Sequence, residues 1–123
     1  MHVLLVEDQA PDMVVQRRMV EKALPQANIY EASTLHAAQD VLNRVSLDLV
    51  ILDLNLGDNE SAGVELVDAV RRNGDAAIIV ISGMDVETYR PMMFQSKVWD
   101  YFEKPIDLGS LQHVIARILE TQR

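Results

Sequence analysis

The chain lacks cysteine altogether and has few aromatic residues, glycines and prolines. Its 123 residues therefore form no disulfide and offer no cysteine-ligated metal site. No apolar run approaches the roughly 20 residues that a membrane-spanning helix requires, and no signal peptide is recognisable. These absences, together with the length, lead us to expect one cytoplasmic domain covering residues 1–123, with no membrane partner.

Basic residues are also scarce. The sequence has 11 Lys and Arg against 19 Asp and Glu, which gives a formal net charge of −8. A domain that binds DNA or RNA needs a basic face to neutralise phosphates, and the few basic residues here form no such run. We therefore predict no direct binding to nucleic acid.

Five short apolar runs are present, and segments with helical periodicity separate them. Runs that are apolar without alternation are typical of parallel strands buried on both faces of a sheet. The pattern predicts an α/β fold in which a strand and a helix alternate five times around one parallel sheet. The predicted strands cover residues 2–6, 28–33, 47–54, 76–82 and 97–102.

The segments between the strands carry apolar residues at spacings of three and four, which is typical of helices with one buried face. Proline, glycine and capping residues mark several of their ends. In chain order, the first expected helix begins near Pro11 and ends before Pro25, the second is capped by Thr34, the third ends at Gly74, the fourth covers about 86–95, and the last is capped by Asp107.

Polar residues stand where four of the predicted strands finish. In an open parallel sheet the carboxyl ends of the strands meet at one edge, and ligands bind beyond that edge. We therefore expect three carboxylates, one hydroxyl and one ammonium group to share a single crevice. They belong to Glu7 and Asp8 after the first strand, Asp53 after the third, Ser82 after the fourth, and Lys104 after the fifth.

This combination of groups indicates a particular chemistry. Neighbouring carboxylates repel one another unless a cation or a proton neutralises them, and all-oxygen sites favour hard ions such as Mg²⁺. A hard cation, a lysine, a hydroxyl and a carboxylate nucleophile are the groups that phosphoryl transfer requires. Each residue alone has an ordinary structural explanation, so the prediction depends on their joint placement.

Four motifs resemble those of the receiver domain of two-component response regulators, and the resemblance covers essentially the whole chain. It implies a flavodoxin-like (βα)5 fold, doubly wound, with five parallel strands in the order 2-1-3-4-5. It also implies phosphorelay signalling instead of enzymatic turnover of a separate substrate. The motifs are LLVEDQ (4–9), VILDLNL (50–56), IIVISG (78–83) and DYFEKP (100–105).

The resemblance implies a role for each matching residue. Asp53 would be the phosphoacceptor, taking the phosphoryl group from a histidine of a sensor kinase or a phosphotransfer protein. Ser82 and Lys104 would contact the phosphoryl oxygens after transfer. The Mg²⁺ ligands would be Glu7, Asp8, Asp53 and the backbone carbonyl of Asn55.

Two further roles follow from the same resemblance. Tyr101 would be the aromatic switch, with a ring that turns inward when Ser82 moves. Pro105 would follow a cis peptide bond from Lys104, which X-Pro bonds tolerate. Phosphorylation and autodephosphorylation of Asp53 would then switch an interaction surface for a downstream protein or an output domain, and a homodimer is left open.

Three alternatives remain beside this interpretation. The chain could be the N-terminal receiver of a longer regulator with an output domain elsewhere. It could be a receiver that acts by protein interaction without phosphorylation, although the complete set of site residues argues against this. A small hydrolase with an aspartyl phosphate intermediate would need an insertion that encloses its substrate, and the sequence contains none.

Overall fold

The computed structural model of the chain describes residues 1–54, 60–83, 87 and 98–121. The expected helix at 86–95 lies outside these residues, apart from residue 87. The described elements are β1 (His2–Val6), α1 (Ala10–Ala23), β2 (Asn28–Ala32), α2 (Leu35–Arg44), β3 (Leu49–Leu52), α3 (Glu60–Asn73), β4 (Ala77–Ser82), β5 (Asp100–Glu103) and α4 (Leu108–Thr121).

The strands form one sheet in the order β2-β1-β3-β4-β5, and every neighbouring pair is parallel. The α/β prediction and the strand order are therefore confirmed. The register is continuous across the middle of the sheet, where Leu4 is paired with Val50 and Val50 with Ile78. Since no pair is shifted, the carboxyl ends of β1, β3 and β4 lie side by side.

Two strands are shorter than the sequence predicts by two residues or more, and β2 and β4 are each shorter by one. β3 covers Leu49–Leu52 instead of 47–54, and β5 begins at Asp100 instead of residue 97. In both cases, buried apolar residues lie next to the strand but outside its paired part. Leu54 and Val98 are buried although neither belongs to a strand, and the Trp99 N–H donates to the Ile78 carbonyl at 2.8 Å from a bend before β5.

Alternate side chains of the strands point to opposite faces of the sheet, and each face has its own core. On one face, Val50 and Ile78 pack with residues of α2 and α3. On the other face, Ile51 and Ile79 pack with residues of α1 and α4. The helices therefore cover both faces, as the unbroken apolar runs indicate.

The helix ends predicted at Thr34, Asp107 and Gly74 are found in the structure. The Thr34 hydroxyl accepts a hydrogen bond from the Ala37 N–H at 3.0 Å and caps α2. The Asp107 carboxylate accepts from the Ser110 N–H at 2.9 Å at the start of α4. Gly74 follows α3 with φ +152°, a conformation that residues with a side chain rarely adopt. Among the described residues, no helix is long and apolar enough to span a membrane.

Candidate functional site

Backbone hydrogen bonds continue the sheet beyond the strand ends and hold three of the candidate residues in place. The Glu7 N–H donates to the Ala32 carbonyl and the Asp53 N–H to the Val6 carbonyl, both at 3.0 Å. The Lys104 N–H donates to the Ser82 carbonyl at 2.7 Å. Because these residues are anchored through main-chain atoms, the sheet itself brings their side chains to its carboxyl edge.

The Lys104 ammonium group lies among three carboxylates. Its Nζ atom is 2.8 Å from Oε2 of Glu7, 2.9 Å from Oδ2 of Asp53 and 2.9 Å from Oδ2 of Asp12. An ammonium group has three N–H donors, so each donor has a carboxylate partner. Burial alone would lower the pKa of Lys104, but the hydrogen bonds to these carboxylates outweigh it and raise that pKa. The side chain therefore stays cationic.

A second group of acids lies around Asp53. One carboxylate oxygen from each of Glu7, Asp8 and Asp53 lies within 4.8 Å of the others. Glu7 and Asp53 are buried, whereas Asp8 is half-buried. Burial raises the pKa of Glu7, and the hydrogen bonds from Lys104 and the Gln9 N–H oppose that rise. Closely spaced hard oxygen donors of this kind are suited to a cation such as Mg²⁺.

The other predicted residues occupy the positions expected from the strands. Ser82 is fully buried at the last position of β4, and Tyr101 of β5 is buried in the core that also contains residues of α2 and α3. The Lys104–Pro105 peptide bond is cis. The structure thus brings Glu7, Asp8, Asp53, Ser82 and Lys104 to the same edge of the sheet. Asn55, predicted to offer a backbone carbonyl, lies outside the described residues.

Sequence reasoning missed two site residues, both on α1. Gln16 is buried, and its Nε2 atom donates to Oε2 of Glu7 at 3.3 Å. Its spacing from the buried Met13 and Val20 places a polar side chain on the apolar face of the helix, a signal that could have identified it. Asp12 gave no such signal, because an acid in the first turn of a helix is common.

A parallel sheet in this order, with an acidic cluster and a lysine at its carboxyl edge, defines the class of receiver-type signalling domains. The family model described as the response regulator receiver domain matches residues 3–116. The chain belongs to this family, the receivers of two-component signal transduction. The resemblance inferred from the four motifs is therefore confirmed.

Curated proteins of known name are similar to this chain over most of its length. The KDP operon transcriptional regulatory protein KdpE of Escherichia coli is 31% identical over 113 residues, which cover 90% of this chain and 48% of KdpE. The regulatory protein VirG of Agrobacterium tumefaciens is 31% identical over 120 residues, covering 95% of this chain and 42% of VirG. The chain thus spans about half the length, or less, of these relatives.

Solved structures share the fold over nearly the whole chain. A two-component response regulator from Clostridium difficile superposes with a TM-score of 0.88 at 19% identity, covering 100% of this chain and 98% of that one. A CheY-like receiver domain protein from Methanospirillum hungatei gives 0.85 at 20% identity, covering 98% and 94%. At such low identities these likenesses establish the fold alone.

Proposed function

We propose that residues 1–123 form one receiver domain in which Asp53 accepts a phosphoryl group and a protein-interaction surface changes in response. The observation that supports this most directly is the position of Asp53. Its carboxylate follows the central strand β3, lies in an acidic cluster, and accepts a hydrogen bond from Lys104 at 2.9 Å. A nucleophile held in this way needs little movement before reaction.

The phosphoryl donor in this proposal is a phosphohistidine of a sensor kinase or a phosphotransfer protein. An Asp53 oxygen forms the new P–O bond while the donor's P–N bond breaks, and the leaving imidazole nitrogen keeps the electron pair. Asp53 attacks as a carboxylate, so no base has to remove a proton. Because the transition state is loose, catalysis depends on positioning and on neutralising the charge of the phosphoryl oxygens.

Glu7, Asp8 and Asp53 are the described residues that would hold Mg²⁺, together with the Asn55 carbonyl. Their oxygens fit this role because they are hard donors and lie within 4.8 Å of one another. When bound, Mg²⁺ would neutralise part of the charge on the transferring group. Lys104 would contribute a second positive charge beside Asp53, where its Nζ atom lies 2.9 Å from Oδ2.

Ser82 and Lys104 would contact the phosphoryl oxygens once the group is on Asp53. Lys104 already contacts Asp53, and Ser82 ends β4, the strand next to β3. We assign Tyr101 as the aromatic residue that responds to Ser82, since it lies on β5 beside β4. The new dianion would bias the conformational equilibrium of this edge, with output through a downstream protein or output domain, and autodephosphorylation would reverse it.

The test is to incubate the full chain with Mg²⁺ and acetyl phosphate and to measure the intact mass. We expect the parent protein to gain one phosphoryl group and Asp53→Asn to gain none. Asp75→Asn is the matched control, because Asp75 is an exposed acid outside the cluster. It should be modified like the parent.

Failure of the parent to gain mass would be followed by the same measurement with a phosphohistidine donor. Absence of modification from both donors would contradict the proposal and favour a receiver that acts by interaction alone. Modification of Asp53→Asn to the same extent as the parent would show that another residue is the acceptor.

A further inference from the structure

Among the described carboxylates around Lys104, Asp12 is the one that belongs neither to the acidic cluster of Glu7, Asp8 and Asp53 nor to the proposed transfer. It lies in the first turn of α1, yet it contacts a lysine 92 positions away in the sequence at 2.9 Å. Its side chain is 44% exposed, whereas that of Glu7 is 0% exposed and that of Asp53 is 6% exposed. Asp12 is therefore the most exposed of the three carboxylates that contact Lys104.

The contact uses a hydrogen-bond donor of Lys104 that a phosphoryl group could otherwise use. All three N–H groups of the ammonium are directed to carboxylates, as described above. Glu7 cannot easily release its partner, because its carboxylate is buried and would be left without its cation. Asp12 is better able to do so, because water can reach it, and both Asp12 and Lys104 border a cavity of about 180 Å³.

The negative charge of Asp12, like its hydrogen bond, makes the Lys104 ammonium less available to an anionic phosphoryl donor. Phosphoryl donors such as acetyl phosphate are anions, and a carboxylate beside Lys104 offsets part of the attraction that the ammonium exerts on them. Among the described residues, Glu7, Asp12 and Asp53 contact this single ammonium, and Asp8 adds a fourth negative charge beside Glu7 and Asp53. Removing one of them should matter most at the exposed side.

We propose that Asp12 is a positioning residue that holds Lys104 towards α1 and weakens its attraction for anionic phosphoryl donors. The inference rests on the proposed phosphorylation of Asp53 and adds a determinant of donor selectivity. For a small free anion, bound Mg²⁺ and Lys104 would supply the attraction at the part of the site that the structure describes. A donor protein brings further contacts of its own, so the restraint by Asp12 selects against small donors.

The experiment measures the rate of phosphorylation against acetyl phosphate concentration for the parent, Asp12→Asn and Asp12→Glu. Each variant is first titrated with Mg²⁺ so that all rates are taken at saturation. We expect Asp12→Asn to lower the half-saturating donor concentration by about three- to tenfold, the effect of one nearby charge at a protein surface, while the maximal rate changes little. Asp12→Glu keeps the charge and should restore the parent value.

Glu21→Gln provides the matched control on the same helix. Glu21 is similarly exposed, at 53%, but it pairs with Arg17 instead of Lys104. Its loss should leave the half-saturating concentration unchanged. The shift in Asp12→Asn should also diminish as salt is added, because salt screens exposed charges.

Three results would overturn the inference while leaving the proposed function intact: an unchanged half-saturation in Asp12→Asn, an equal shift in Glu21→Gln, or an Asp12→Glu variant that behaves like Asp12→Asn. If the parent protein gains no phosphoryl group from either class of donor, the proposed function itself fails, and the inference fails with it.

Discussion

At the scale of single residues, the charge balance of the site depends on Lys104. This one ammonium contacts a carboxylate of α1 and the carboxylates that directly follow β1 and β3, so it joins parts of the chain that are distant in sequence. Glu7 depends on this ammonium most, because its carboxylate is buried. Without the cation, the carboxylate would carry an uncompensated buried charge unless it took up a proton. Gln16 supplies a further hydrogen bond, but a neutral amide cannot replace the cation.

Lys104→Met should therefore lower the free energy of unfolding by about 2–4 kcal/mol at pH 7.5 in the absence of divalent cations, since it leaves a buried charge uncompensated. Burial already raises the pKa of Glu7 above its ordinary 4.5, so proton binding at this carboxyl favours the folded state. The loss should accordingly shrink as the pH falls towards 4.5. Urea denaturation at several pH values measures it.

Lys22→Met is the control for this substitution, because Lys22 is an exposed lysine in the last turn of α1. It should change the unfolding free energy little at any pH. An equal loss in both variants, or a Lys104→Met loss that does not depend on pH, would contradict the role assigned to the Glu7–Lys104 pair.

At the scale of elements, α3 approaches the end of β3 closely and positions Leu54, the residue that follows Asp53. The Gly63 N–H donates to the Leu54 carbonyl at 3.2 Å, so the helix backbone contacts the residue directly after the proposed phosphoacceptor. A Cβ atom at Gly63 would lie 2.3 Å from the Leu54 Cα atom, closer than real contacts allow. Glycine is required here by close approach of two backbones, not by a special φ angle.

Gly63→Ala should therefore destabilise the protein by about 1–3 kcal/mol, because the clash with backbone forces α3 and Leu54 apart. The higher helix propensity of alanine, worth about 1 kcal/mol, acts in the opposite direction and is too small to compensate. Thermal unfolding measures the net effect. We also expect slower acceptance of the phosphoryl group, since Asp53 shifts with Leu54.

Gly83→Ala serves as the control for stability alone, because no described atom lies within 4 Å of the Cβ it would add. It should unfold close to the parent temperature. A Gly63→Ala protein as stable as the parent would mean that α3 does not pack on Leu54 as closely as described.

At the scale of the whole molecule, the sheet separates two cores that are built from different helices. Neighbouring residues of β4 belong to different cores: Ile78 packs with α2 and α3, and Ile79 packs with α1 and α4. Both are fully buried. Since the same strands contribute to both cores, neither face can lose its packing without disturbing the sheet that supports the other.

Ile78→Ala and Ile79→Ala should each lower the free energy of unfolding by about 2–5 kcal/mol, the usual cost of such truncations in a core. Each variant should still unfold in a single transition, followed by both circular dichroism and Trp99 fluorescence. Separate transitions for the two probes would show that the two faces unfold independently. Val15→Ala, at an exposed position of α1, should have little effect.

The sequence by itself was sufficient for the strands, for most helix ends and for the set of residues at the sheet edge. The reason is that these features depend on local patterns: apolar runs form buried strands, capping residues begin helices, and polar residues follow strands at fixed positions. Asp53, Ser82 and Lys104 were predicted in this way. The predicted strand ends were less accurate, because buried apolar residues such as Leu54 and Val98 lie beyond the paired region and resemble strand residues in the sequence.

Only the tertiary structure decided which groups share the Lys104 ammonium. The contact between Asp12 and Lys104 joins residues 92 positions apart, and it exists because α1 packs against α4, the helix that follows Lys104, on one face of the sheet. No periodicity in the sequence encodes such a distance. Local pattern therefore determined the elements and the chemistry at their ends, whereas the packing of one helix determined how the charge of the site is shared.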